Sequence, residues 1–102
     1  MKEKELYGKF AKKMKDADPS AFWYKIPDTK GLGGMRPFDG FLICGGKAFA
    51  IEFKVKNGKP TRFQEWSLEK VKIAGGIPLV FQHPRMSMDK MIKKIMRIGY
   101  GK

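Results

Sequence analysis

Two apolar runs, Phe38 to Cys44 and Lys47 to Val55, stand on either side of Gly45-Gly46. A pair of glycines accepts the backbone angles of a tight two-residue turn, so the runs are expected to fold back on each other as an antiparallel hairpin. A turn of fixed length also fixes register, because a slip of one residue would send every side chain to the other face. Turning at Gly45-Gly46 sets position 39 opposite position 52 and points both side chains to one side.

The rest of the chain is arranged around this hairpin. Leu6, Phe10 and Met14 recur at every fourth position from Lys2 to Lys15, with lysines between them, which is the apolar stripe of an amphipathic helix. Asp18-Pro19-Ser20 ends it, and Phe22 to Ile26 reads as a short strand stopped by Pro27. Thr29 to Arg36 carries three glycines and is expected to be a loop. Asn57-Gly58-Lys59-Pro60 forms a second turn. Thr61 then caps a helix running to about Ala74, with Gln64 three residues on to complete a capping box. Gly75-Gly76 stops that helix, and Ile77 to Gln82 is a last strand. Ser87 caps a final helix whose Met88, Met91, Ile92, Ile95 and Met96 face inward and whose Lys90, Lys93, Lys94 and Arg97 face out. The order α, β, β, β, α, β, α over 102 residues predicts one α/β domain with a mixed sheet flanked by helices, the last helix being C-terminal to the core.

A formal charge of +12 spread along so short a chain attracts polyanions, with nucleic acid the leading partner and an acidic protein or membrane surface the alternatives. Cys44 is the only cysteine, so no internal disulfide forms, and a reducing compartment follows, with the thiol expected in the core. No apolar run is long enough to span a membrane and the lysine-rich start lacks the apolar segment of a secretion signal, which predicts a cytoplasmic protein.

Chemistry enters through the hairpin. Ala48, Ala50, Phe53 and Val55 make the second run apolar, and Glu52 and Lys54 are its exceptions. On a solvated face Glu-x-Lys would be an ordinary surface ladder. With Asp39 facing Glu52, two carboxylates instead share a site, and they repel unless a cation lies between them. An all-oxygen site of this kind suits Mg²⁺, with Mn²⁺ as substitute. Strand alternation places the Lys54 ammonium on the same side, where it can position water or stabilise developing negative charge.

Asp39, then Glu52-Phe53-Lys54, then Gln64 at the head of a helix resembles the PD-(D/E)XK nuclease superfamily. From about Lys25 to Phe81 the chain is similar to VRR-NUC domains and to Holliday-junction resolvases of phages and prokaryotes. The resemblance implies a restriction-endonuclease-like αβββαβ core and a Mg²⁺-dependent endonuclease acting on branched or junction DNA. It places the protein in a prokaryotic or phage-infected cell, and the two nicks that resolve a junction imply a homodimer, with the final helix or Phe22-Trp23-Tyr24 as candidate interfaces. The family's Pro-Asp pair is here Phe38-Asp39, preceded by Pro37, whereas Pro27-Asp28 matches literally; Asp28 is set aside because no apolar strand follows it. The resemblance further implies a metal-holding glutamate on the first helix, Glu3 in preference to Glu5, and a water-orienting or strand-contacting role for Gln64 that competes with its capping role. Lys56, Lys59, Arg62 and Arg36 are the expected phosphate contacts. Trp66 is expected to pack on the sheet, and His83 receives no catalytic role. Two other readings remain: a non-catalytic basic DNA-binding accessory protein, and a flap-directed or nonspecific nuclease of the same fold.

Overall fold

The computed structural model describes residues 2–27 and 36–101; the glycine-rich stretch 29–35 and Asp28 lie outside the described residues. The elements follow as α1 (Glu3–Ala17), β1 (Phe22–Lys25), β2 (Gly40–Cys44), β3 (Lys47–Val55), α2 (Arg62–Ile73), β4 (Ile77–His83) and α3 (Met88–Tyr100). The order is the one the sequence predicts, and the fold is α/β with a four-stranded mixed open sheet, β1-β2-β3-β4. β1 pairs with β2 and β2 with β3 in antiparallel fashion, while β4 lies parallel to β3 with α2 as the crossover.

The hairpin takes the expected register. Gly40 faces Ile51 and Cys44 faces Lys47, across a turn in which Gly45 and Gly46 have φ of 62° and 78°. β2 starts two residues later than the apolar run suggests, although Asp39 extends the pairing: its N–H donates to the Ile51 carbonyl at 3.1 Å and its carbonyl accepts from the Ile26 N–H at 2.8 Å. The N–H of Phe53 donates to Asp39 Oδ2 at 2.7 Å.

One face of the sheet carries the core. The α1 stripe Leu6, Phe10 and Met14 and the α3 residues Met91, Ile92 and Ile95 pack with Leu42, Phe49, Ile51, Phe53, Leu79 and Phe81. Phe53 is at its centre, with the rings of Phe10 and Tyr7 each 5.3 Å away and that of Trp23 at 6.0 Å, all edge-on. Leu68 of α2 is buried without joining this cluster, so α2 covers the opposite face. Strand alternation turns Glu52 and Lys54 to that opposite face. Both helix caps expected from sequence are formed: the Thr61–Gln64 capping box is reciprocal, and the Ser87 hydroxyl accepts from the N–H of Lys90.

At the hairpin-turn end of the sheet, α1 and α3 are tied to β2 by Asp18. Its Oδ1 accepts from the N–H and hydroxyl of Ser20, at 3.1 and 2.6 Å. Its Oδ2 accepts from the Cys44 thiol and the Tyr100 hydroxyl. The Ser20 and Tyr100 hydroxyls lead in drawing its pKa down to about 2. Burial, with the Asp18 charge behind it, pushes the Cys44 thiol up to about 11, so Cys44 is the buried structural thiol the sequence suggests. Beside this knot a side chain on Gly99 would come within 2.8 Å of the Cys44 carbonyl oxygen, so two backbones meet here with nothing between them. No helix among the described residues is long and apolar enough to cross a membrane.

Candidate active site

The opposite end of β2 holds the acids expected to carry chemistry. Asp39 and Glu52 are each 1 % exposed, at adjacent places across the β2–β3 pair. A carboxylate so buried needs partners, and the two acids are served unequally. Asp39 accepts from the Phe53 N–H and from the Tyr7 hydroxyl at 3.0 Å, and its Oδ1 pairs with an Arg36 guanidinium nitrogen at 3.2 Å. Glu52 has the Lys54 ammonium 2.8 Å from Oε2, while its Oε1 meets no hydrogen-bond donor among the described residues. Burial raises the Glu52 pKa most; the Lys54 hydrogen bond opposes it and the Asp39 charge adds to it, leaving the carboxyl at about 7.

The structure brings Glu3 to this end of the sheet but not onto Glu52. Tyr7, one turn along α1, donates toward Glu3 at 3.4 Å as well as to Asp39, so its hydroxyl links the helix to the strand acid. Burial and the charges of Asp39 and Glu3 hold that phenol well above its ordinary pKa, in the neutral donor form. Glu5 is exposed, so of the two helix glutamates only Glu3 reaches the site. Among the described residues no three His, Cys, Asp or Glu side chains meet in a metal-holding group, so the expected set Asp39, Glu52 and Glu3 is present as a pair with Glu3 joined through Tyr7.

Other expected residues fall less close. Arg36 turns inward: besides Asp39 it binds the Ile26 carbonyl at 3.2 Å, so it steadies the acid instead of standing in solvent as a phosphate contact. Gln64 accepts the Thr61 N–H at 2.9 Å through its Oε1, which commits that oxygen to the cap. Lys56, Lys59 and Arg62 are exposed on the turn beyond β3 and at the head of α2. That turn is anchored by the Gln82 amide, which donates to the carbonyls of Lys56 and Gly58 at 2.8 Å each. Trp66 departs from expectation: it is 58 % exposed, because the inward face of α2 runs through Gln64, Leu68 and Val71 and leaves position 66 outside.

Two contributors were missed from sequence. Tyr7 lies next to the apolar stripe and four residues after Glu3, a spacing that puts the two on one helix surface, but its acceptor is 32 positions away. Lys25 holds its ammonium 4.5 Å from the centre of the Tyr7 ring, a cation at the site's border that no motif marks.

A divalent cation fits this donor set on two counts: both acids offer carboxylate oxygens, and the buried Oε1 of Glu52 has lone pairs that no donor among the described residues meets. Compared with family profiles, curated proteins and solved structures, the chain matches none of them.

Proposed function

We propose that the chain is a Mg²⁺-dependent DNA endonuclease, with Mn²⁺ as an effective substitute, which hydrolyses phosphodiester bonds at branched or junction DNA. The observation that carries this reading is the buried pair Asp39 and Glu52, beside Lys54, with one Glu52 oxygen unpartnered among the described residues and the carboxyl raised to about 7. An acid kept dry and half-satisfied costs stability, and such groups cluster where charge is to be handled. The resemblance of Asp39, Glu52-Phe53-Lys54 and Gln64 to the PD-(D/E)XK nucleases, with their restriction-endonuclease-like core, supports the same assignment.

Asp39 and Glu52 would hold the cation. When bound, it supplies charge neutralisation at the scissile phosphate and a lowered pKa for a bound water. Arg36 and Tyr7 fix the direction of the Asp39 carboxylate, one through a charge pair and the other through a hydrogen bond. The Lys54 ammonium orients water or offsets negative charge growing on the phosphate oxygens. Lys56, Lys59 and Arg62 lie on the surface next to Lys54 and hold the DNA backbone without reading sequence.

Cutting both strands of a junction takes two such sites, so a second copy of the chain completes the assembly. Phe22, Tyr24 and Ile43, exposed on the outer face of β1 and β2, are the surface for it, while Trp23 is turned into the core.

The test is to incubate the protein with four-way junction, flap, linear duplex and single-stranded DNA in Mg²⁺, Mn²⁺ or EDTA. Cleavage in either metal, abolished in EDTA and in both Asp39→Asn and Glu52→Gln, is the expected result. Cleavage left unchanged by both substitutions overturns the site. Preference for flaps, or for none of the four, assigns a flap-directed or nonspecific nuclease. One observation favours a second reading: Asp39 already has three partners, as in a purely structural acid. A basic accessory protein of that kind binds DNA tightly and in a salt-sensitive way, with no cleavage in any metal.

A further inference from the structure

On α2, Phe63, Trp66 and Lys70 follow one another at helical spacing on the side away from the sheet. The rings of Phe63 and Trp66 lie 6.1 Å apart and 18° from parallel, and the Lys70 ammonium sits 5.5 Å from the centre of the Trp66 ring. More than half of Trp66 is open to solvent, at 58 %. An indole that packs on no core, backed by a parallel ring and edged by a cation, presents a flat π surface with positive charge at its border. Arg62 and Lys59, both exposed, extend that charge toward the turn beside Lys54.

We infer that this ledge stacks an unpaired base of a DNA strand, with Lys70 and Arg62 holding the phosphates on either side of it. Local charge decides against a second copy docked through this ledge, which would set Lys70 and Arg62 against their own counterparts. A nucleic-acid strand offers both the flat ring face that a stacked indole takes and the anions that the border attracts, where an acidic surface offers the anions alone. The inference rests on the reading of the chain as a DNA-acting protein and narrows it to substrates with unpaired bases.

Trp23 lies edge-on to Phe10 and Phe53 and is only partly buried, so the emission change that is lost in Trp66→Phe is the part that reports on Trp66. The experiment titrates the full chain in EDTA with an oligothymidylate and with an abasic oligonucleotide of equal length, following tryptophan emission and affinity. Oligothymidylate is expected to quench the Trp66 emission and to bind more tightly than the abasic strand. Trp66→Ala should weaken oligothymidylate binding by about tenfold, the lower part of the range for one stacked base. Trp66→Phe should retain most of the affinity, and abasic binding should be the same in all three proteins. Equal binding of the two strands, or an unchanged affinity in Trp66→Ala with its melting temperature intact, overturns the inference. So does a Trp66 emission that shifts with protein concentration alone, which would give the ledge to a second copy. No metal and no turnover enter this measurement, so a failure of cleavage counts against the nuclease and a failure of stacking counts against the ledge.

Discussion

Two buried acids stand at opposite ends of β2, and the fold treats them in opposite ways. Asp18, at the hairpin-turn end, receives donors from Ser20, Cys44 and Tyr100 and is held ionised, with its pKa drawn down to about 2. Glu52, beyond the other end, pairs with one ammonium, keeps one oxygen without a donor among the described residues and is raised to about 7. Both acids are nearly closed to solvent, but lost hydration is the leading influence on Glu52, whereas at Asp18 the donated hydrogen bonds of Ser20 and Tyr100 outweigh it. A fully satisfied acid ties elements together; an acid left short is held ready for a charge that arrives with substrate or cation.

The strongest way to break this contrast is at the short-changed acid. Glu52→Gln or Asp39→Asn should lower cleavage by more than about a hundredfold, the upper cost of losing a mere supporting partner of a metal site. Circular dichroism should show each variant folded; a variant that unfolds would move that acid to the structural side of the comparison. At the other end, Gly99→Ala should cost about 1–3 kcal/mol by overpacking, since the new methyl meets the Cys44 carbonyl oxygen at 2.8 Å. Chemical denaturation reads that loss, and cleavage per folded molecule should not change. Tyr7→Phe sharpens the comparison more gently: removing the hydroxyl that joins Glu3 to Asp39 should weaken Mg²⁺ binding by about tenfold, as measured calorimetrically, with little change in melting temperature.

The smallest effect is a pair of pH slopes of opposite sign. Asp18 has a folded pKa below its ordinary 3.8, so its contribution to stability is complete above that value and is lost as pH falls toward about 2. Glu52 has a folded pKa above its ordinary 4.5, so it is best tolerated in acid, and stability declines as pH rises from there through about 7. Denaturation of the protein in EDTA should show that decline, and Glu52→Gln should flatten it. A slope that persists in Glu52→Gln belongs to some other group.

Much of the fold was legible because its signals are local. Gly45-Gly46 set the hairpin register, Thr61 with Gln64 and Ser87 marked helix starts, and the stripe of Leu6, Phe10 and Met14 marked the buried side of α1. The acids and Lys54 were legible for the same reason, since a turn of known length and the period of a strand place them together. The contacts of Tyr7 and Arg36 with Asp39 were not legible, because they depend on where α1 and the segment before β2 come to rest, which no short-range pattern encodes. Asp18 read only as the end of a helix; its donors Cys44 and Tyr100 lie 26 and 82 positions away. Trp66 was misplaced by composition, since a large aromatic on an amphipathic helix is expected inside, and the phase of α2 puts it outside.

The meeting of Gly45 and Gly99 limits what can be built onto this chain. A methyl group added at Gly45 would fall 2.2 Å from the Gly99 carbonyl oxygen. A side chain or tether attached at Gly45 would therefore have to lever the end of α3 off the strands, whereas Gly46, the other residue of the same turn, faces open space. The two halves of one tight turn are thus unequal as places to carry cargo.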